Sequence, residues 1–259
     1  MNQPMDLNEK LLWLSYYRRD PLKAQCADKY KCREYVTKEC GLLEELLVPL
    51  YGVWNSADDI NFSSLPESFV LKCNHGCGYN IIVTDKSKLD YENAKQTLNK
   101  WLSEDYAGNA SEIHYKDIRP HVIMCEKYLS PHPGENSQTD YKLFCINGEV
   151  MFIFVCYNRD NNGEALYATY STVWEQLFYT KNEPTSHITP PKSLNQMLLY
   201  AKSLSKPFPF VRIDFYEYEE APLLGEMTFT PYGNIMTYFK DDVLMKYGQK
   251  LRLPKKKIR

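Results

Sequence analysis

Two carboxylates and one arginine fall in a short stretch of alternating residues. Residues 211–231 read VRIDFYEYEEAPLLGEMTFTP. Val211, Ile213 and Phe215 alternate with Arg212, Asp214 and Tyr216, the period-two pattern of a strand with one buried face. After a polar, proline-containing turn at 217–222, Met227 and Phe229 alternate with Glu226, Thr228 and Thr230. If the two runs pair, Arg212, Asp214, Glu226 and Thr228 share one face. Two carboxylates facing each other beside a single arginine call for a cation between them, or for one of them to keep its proton. Mg²⁺, which takes a few carboxylates together with substrate phosphates, meets the first need. An amphipathic hairpin with solvated charges, whose surface ion pairs contribute little, fits the same pattern.

A second chemical stretch lies upstream. Residues 69–73 (FVLKC) and 80–83 (NIIV) read as short apolar strands around Asn74-His75-Gly76-Cys77-Gly78-Tyr79. A loop with two glycines can bring backbone N–H groups close to a phosphate, because no Cβ holds the ligand away. Lys72, at the end of the first strand, supplies a point charge for the same phosphates. The stretch is not a Walker loop, since the GK[S/T] ending and the following helix are missing. A plain glycine hairpin is the equal alternative.

The elements that position these stretches follow from periodicity. Residues 6–18 form an amphipathic helix with Leu11, Leu12 and Leu14 on one side. A second helix spans 28–39 and ends at Gly41, placing Lys29 and Arg33 on one face. Further helices are expected at 91–102, 194–204 and 241–250, and strands at 121–125 and 140–146. Asn147-Gly148 is a two-residue hairpin turn into a strand at 150–156. Residues 157–186 read as irregular, and Pro131, Pro133 and Gly134 interrupt the chain.

Composition bounds the function. A chain of 259 residues makes one large domain or two small ones. A hydrophobic share of 44% with 25% charged residues is that of a soluble globular protein. The net charge of −2 provides no field for nucleic acid. The basic tail, Lys255, Lys256, Lys257 and Arg259, reads first as a solvated end and second as a contact for an anionic membrane surface or polyanion. The eight cysteines lack zinc spacing, and residues 1–20 carry no signal-type apolar run, so reduced thiols in a cytoplasmic protein are expected. No transmembrane segment is expected. Tyrosine is abundant, at 21 residues, which suits sugar stacking as well as half-buried core positions.

Taken in order, these motifs resemble the ATP-grasp superfamily, and most closely its TupA-like branch, which is associated with bacterial surface polysaccharide and teichuronopeptide biosynthesis. The resemblance rests on Asp28-Lys29-x3-Arg33-Glu34-Tyr35-Val36, on 69–78, on Glu126-Lys127-Tyr128-Leu129, on Asp140-Tyr141-Lys142, and on Arg212-x-Asp214 with 225–231. It implies an α+β ATP-grasp fold: two α+β lobes with antiparallel sheets clasping ATP, and a short helical N-terminal extension. The expected divisions are 1–22 for the extension, 23–125 for the first lobe and 126–259 for the second, which carries the metal-binding hairpin.

The resemblance also implies roles. Arg33 stands where the superfamily usually has a phosphate lysine, and Lys72 matches the second such lysine, with a catalytic share. His75, Gly76 and Gly78 match the loop over the phosphates. Glu126 matches the residue at the adenine edge, with the backbone of Lys127, Tyr128 and Leu129 as the hinge that reads the base. Asp140 matches a ribose carboxylate, with Lys142 beside it. Arg212 resembles the arginine that stabilises the transferred phosphoryl group, and Asp214 and Glu226 the Mg²⁺ ligands. Thr228 replaces the asparagine ligand found in many members.

The implied reaction is ATP- and Mg²⁺-dependent joining of a carboxylate to an amine through an acylphosphate. The carboxylate is that of a uronic acid or similar group on a capsular or surface polysaccharide, which brings peripheral association with membrane-linked glycan machinery. A sugar kinase on the same scaffold is the main alternative. A glycosyltransferase is disfavoured by the lack of a DxD motif and of a Rossmann fingerprint.

Overall fold

The computed structural model describes residues 3–110, 112–132, 134–135, 137–160, 163–185 and 188–255. Pro133 and, from the basic tail, Lys256, Lys257 and Arg259 lie outside the described residues. The fold is α+β with two antiparallel sheets, as the motif order implies. The described residues divide into two compact units. One holds Met1–Arg19, Cys40–Leu42 and Ser130–Arg259, and the other Asp20–Glu39 and Leu43–Leu129.

Helix α1 (Leu7–Tyr17) opens the chain and belongs to the first of these units. A reciprocal pair of hydrogen bonds starts it: the Asp6 carboxylate accepts from the Glu9 amide, and the Glu9 carboxylate accepts from the Asp6 amide.

In the second unit, α2 (Pro21–Ala27) is capped by Asp20, with proline in the first turn. The helix expected at 28–39 begins later, as α3 (Cys32–Glu34) running into a π-helical turn at Tyr35–Glu39. Asp28 is the reason. Its carboxylate accepts from the Tyr30 and Lys31 amides, a local competitor to helix that leaves its own backbone extended. Strands β1 (Leu50–Trp54), β2 (Phe69–Cys73) and β3 (Asn80–Val83) follow, then α4 (Tyr91–Ser103), α5 (Tyr106–Ala110) and β4 (Ile123–Lys127). The strand order is β1-β4-β2-β3. Strand β1 has no alternation to announce it. Its Gly52 leaves room for the Trp54 ring, which sits where a Cβ would be. Phe69, Leu71 and Cys73 point into a core with Ile123, Cys125 and Leu98 of α4, so Val70 and Lys72 take the opposite face.

The first unit is built on β5 (Asp140–Ile146), β6 (Glu149–Tyr157), β7 (Leu166–Tyr170), β8 (Phe210–Tyr218) and β9 (Ala221–Thr228), in the order β7-β6-β5-β8-β9. Asn147 and Gly148, both at positive φ, make the β5–β6 turn as their types demand. Strand β7 lies inside the stretch read as irregular, paired to β6 from Ile153↔Tyr170 to Tyr157↔Leu166. The β8–β9 turn is tighter than 217–222. It is made by Glu219 and Glu220, both at positive φ, while Pro222 already lies on edge strand β9, where no amide is needed.

Helix α6 (Leu194–Ser205) packs on β5, β6 and β8 through Met197, Ala201 and Leu204. The other sheet face carries Phe144, Phe152, Phe154 and Phe210, packed with Leu7, Leu11 and Leu14 of α1 and with Val243, Leu244 and Tyr247 of α7 (Asp241–Lys250). Both faces are therefore covered. Strand β8 is buried on both sides up to Phe215 instead of showing one solvated face.

Candidate active-site residues

The β8–β9 register sets Arg212 opposite Thr228 and Asp214 opposite Glu226. Between Asp214 and Phe215 the register shifts, leaving Gly225 as the extra residue of a bulge. A Cβ on Gly225 would lie 2.9 Å from the Tyr216 ring and 3.3 Å from the Asp214 carbonyl oxygen, so glycine lets the strand bend there. On the other side, β5 places Lys142 opposite Asp214.

These five side chains form one array. Arg212 donates from Nε to Asp214 Oδ1 at 2.7 Å and from Nη2 to Asp214 Oδ2 at 2.6 Å. The same Nη2 reaches Glu226 Oε1 at 3.0 Å and Thr228 Oγ1 at 3.1 Å, and the Thr228 hydroxyl donates to Glu226 at 2.9 Å. Lys142 Nζ donates to Asp214 Oδ2 at 2.7 Å and lies 3.7 Å from Asp140, whose other cationic neighbour is Arg159 at 3.6 Å.

Arg212 and Asp214 are 6% and 2% exposed, so this is not a solvated face. Burial pushes the Asp214 carboxyl up. The guanidinium and the ammonium oppose it through three charge-assisted hydrogen bonds, but the net displacement stays upward, with Glu226 adding to the burial. Burial alone would lower the Lys142 pKa, but Asp214 and Asp140 reverse that and raise it.

The cation demanded by two facing carboxylates is thus partly supplied by the protein, as Arg212 and Lys142. What remains for Mg²⁺ is a set of hard oxygen donors: Asp214, Glu226 and the Thr228 hydroxyl. That chemistry suits the ion when phosphate oxygens complete its shell. Among the described residues no group of three or more His, Cys, Asp or Glu side chains gathers as a metal cluster.

In the other unit, Lys72 and Arg33 meet at Glu126. Lys72 Nζ donates to Glu126 Oε2 at 2.7 Å, and Arg33 Nη1 lies 3.7 Å from Glu126 Oε1 while donating to the Val48 carbonyl at 2.9 Å. Strand register accounts for the first contact. Val70 lies opposite Glu126 on β2–β4, and Lys72 is two residues on, on the same face. Glu126, expected at the adenine edge, holds the two expected phosphate cations. The Lys127 amide, expected in the base-reading hinge, donates to the Pro49 carbonyl at 2.9 Å, so any amide contact to a base falls to Tyr128 or Leu129.

The glycine loop is anchored from below. Asn74 donates to Asp28 at 2.9 Å and to the Pro120 carbonyl at 3.1 Å, and accepts from the Val122 amide at 2.9 Å. This joins the Asp28 motif to the loop. Lys29 Nζ donates to the Gly76 carbonyl at 2.5 Å. Gly76 has φ +99°, and a Cβ there would lie 2.7 Å from the Tyr106 ring; Gly78 has φ +77°.

His75, expected in the loop over the phosphates, is 1% exposed, with Nε2 3.0 Å from the Trp101 carbonyl and its ring stacked on His121 at 3.4 Å between centroids. His121 Nδ1 lies 2.8 Å from the Leu102 carbonyl, so both imidazoles hold the last turn of α4. Burial, and then His121, push the His75 pKa down to about 4. The Asp28–Asn74 and His75–His121 pairs are absent from a sequence reading because each joins segments more than 45 residues apart.

Comparison with known proteins agrees with this architecture. A family model described as TupA-like ATP-grasp matches residues 9–251. No curated protein matches the sequence. Among solved structures, D-alanine–D-alanine ligase from Helicobacter pylori is similar at 18% identity and a TM-score of 0.53, over 95% of this chain and 69% of that one. The ATP complex of the Bacillus anthracis D-alanine–D-alanine ligase gives 14% identity and 0.50, over 88% of this chain and 62% of that one. D-cycloserine synthetase DcsG gives 13% and 0.50, over 89% and 71%. The chain spans less than two thirds of the length of the B. anthracis enzyme. At these identities the likeness is one of fold.

Proposed function

Because the chain belongs to the TupA-like ATP-grasp family, we propose that it is an ATP-dependent ligase that joins a carboxylate to an amine. The observation that carries the reading is the buried array of Arg212, Asp214, Glu226, Thr228 and Lys142. Such an array is a costly feature unless a polyanion uses it, since buried ion pairs add little stability.

In this reading the substrate carboxylate oxygen attacks the γ-phosphorus, the bond to the ADP oxygen breaks, and an acylphosphate forms. The amine nitrogen then attacks the acyl carbon, phosphate leaves with the bonding electrons, and the nitrogen loses a proton. Phosphoryl transfer of this kind depends on positioned positive charge more than on covalent help. Arg212 stabilises the equatorial oxygens, and Asp214 holds its guanidinium in plane through two parallel bonds. Lys72 and Arg33 bind the polyphosphate, exchanging Glu126 for phosphate oxygens. Gly76 and Gly78, at φ +99° and +77°, offer their backbone amides to the phosphates, and at Gly78 no Cβ stands in the way of a ligand. Asp140 accepts from the ribose. Asp214, Glu226 and Thr228 would hold Mg²⁺, which would supply positive charge to the phosphate oxygens.

The acceptor is proposed to be a uronic acid or similar carboxylate of a surface polysaccharide, modified in the cytoplasm. The family resemblance supports that setting. Among the described residues no helix is long and apolar enough to cross a membrane.

³¹P NMR of the protein with Mg·ATP, uronic acids and an amine mixture tests the reaction. ADP and inorganic phosphate appearing only when both substrates are present is the expected result. A phosphate-ester signal with no amine requirement would make the protein a kinase instead.

A further inference from the structure

On the sheet face that carries the charged array, aromatic side chains begin where the charges end. Phe154 on β6 lies directly across from Lys142 on β5. Tyr238 stacks on Phe154 at 5.2 Å between centroids and 18° between planes, and Tyr232 lies a further 4.7 Å from Tyr238. Tyr232 is 52% exposed and Tyr238 half-buried. The series Phe154, Tyr238, Tyr232 therefore runs from the core to the surface along the edge of the array.

Two oddities mark this edge. Among the described residues the buried Tyr238 hydroxyl finds no hydrogen-bond partner, although the charges of Arg212 and Asp214 act on it. A buried hydroxyl left unpaired is destabilising, so it calls for a partner. Tyr232, Gly233 and Asn234 have φ of 51°, 62° and 68° in succession, a left-handed run that large side chains avoid. The run turns the chain just after β9, so Tyr232 follows Glu226 and Thr228 by only a few residues.

We propose that Tyr232 and Tyr238 form the sugar subsite for the acceptor: the exposed Tyr232 ring turns onto the apolar face of a pyranose, and the Tyr238 hydroxyl, uncovered by that turn, hydrogen-bonds the rim of the same sugar. The chemistry of this edge favours a sugar. A pyranose has a flat face of C–H bonds and a rim of hydroxyls, which match an exposed ring beside an unpartnered phenol. A carboxylate on that sugar would point toward Arg212, which rests on the ligase reading above. Neither tyrosine is assigned to nucleotide or metal. Both act on acceptor choice, so their loss leaves ATP binding intact.

The test uses the full chain and trigalacturonate as probe, with binding read by calorimetry and by saturation-transfer NMR. Tyr232→Ala is expected to weaken trigalacturonate about tenfold, and Tyr232→Trp to keep it. Tyr238→Phe, which retains the ring and its stacking, is expected to weaken it several-fold without lowering Tm. Stabilisation by Mg·ATP should be unchanged in all three. Wild-type protein that does not bind trigalacturonate, or Tyr232→Ala that binds it within twofold of wild type, overturns the subsite. If trigalacturonate binding depends on Tyr232 but Mg·ATP gives no stabilisation, the subsite stands and the ligase reading fails.

Discussion

Arg212 and Asp214, two residues apart on one strand, face the same way and are locked together by parallel hydrogen bonds of 2.7 and 2.6 Å. The pair is buried, and Lys142 reaches it from the neighbouring strand. Asp214 therefore has two jobs, as a proposed metal ligand and as counter-ion to two buried cations.

Those jobs separate by mutation. Asp214→Asn should lower Tm by about 10 °C, because it strands Arg212 and Lys142 without their shared anion. Glu226 sits at the rim, with about a third of its side chain exposed. Glu226→Gln should leave Tm within about 2 °C of wild type while abolishing Mg²⁺-dependent turnover. Thermal melts and an ADP-release assay decide it, and Mg²⁺-dependent turnover at the wild-type level in Glu226→Gln would remove that residue from the metal site.

Lys72 can be tested through ligand-induced stability. ATP at a hundred times its Kd should stabilise wild type by about 2.7 kcal/mol, a rise of about 5–10 °C. Lys72→Ala should show no rise, since Arg33, the other cation at Glu126, is also tied to the Val48 carbonyl. A normal ATP shift in Lys72→Ala would place the phosphates elsewhere.

The His75–His121 stack predicts an acid sensitivity. The folded pKa of His75 lies at about 4 against an ordinary 6.5, so between those values the unfolded chain binds the proton and the folded one does not. The stability contributed by neutral His75 is complete above pH 6.5 and is lost as pH falls toward 4, by up to about 3 kcal/mol. The groups facing it, His121, Lys29 and Arg119, all oppose its protonation, while the Trp101 carbonyl favours it. Urea titrations of wild type and His75→Gln across this range should diverge from a common trend as pH drops. Parallel curves would contradict the assignment.

Gly76→Ala should destabilise the second unit by about 1–3 kcal/mol, since φ +99° is a glycine conformation and the new Cβ meets the Tyr106 ring. Gly78→Ala meets no neighbouring atom and isolates the backbone term alone. Equal Tm for the two variants would mean that the Tyr106 ring yields.

The sequence made the metal-type hairpin legible because strand alternation assigns Arg212, Asp214, Glu226 and Thr228 to one face without knowledge of anything else. It did not reveal Lys142 at Asp214, because that contact depends on which strand lies beside β8, and alternation says nothing about neighbours. Strand β7 and strand β1 escaped for a local reason: Gly52 and the flanking polar residues break the periodic signal, and pairing to β6 or β4 supplies the order instead. The burial of His75 was not legible either, because it is set by His121 and the end of α4, far along the chain.

The packing of α1 against α7 sets a schedule for synthesis. Lys10 donates to the Leu251 carbonyl across 241 positions, and Gly248 is needed because a Cβ there would collide with the backbone of Met5 and Asp6. Leu7, Leu11 and Leu14 leave the ribosome well before their docking surface on α7, because the Lys10–Leu251 contact alone spans 241 positions. At a translation rate of 5–20 residues per second, α1 waits about 10–50 s for that surface. The unit of Asp20–Glu39 and Leu43–Leu129 is complete long before then. Until α7 is made, the nascent chain therefore carries α1 with its apolar side uncovered by that helix.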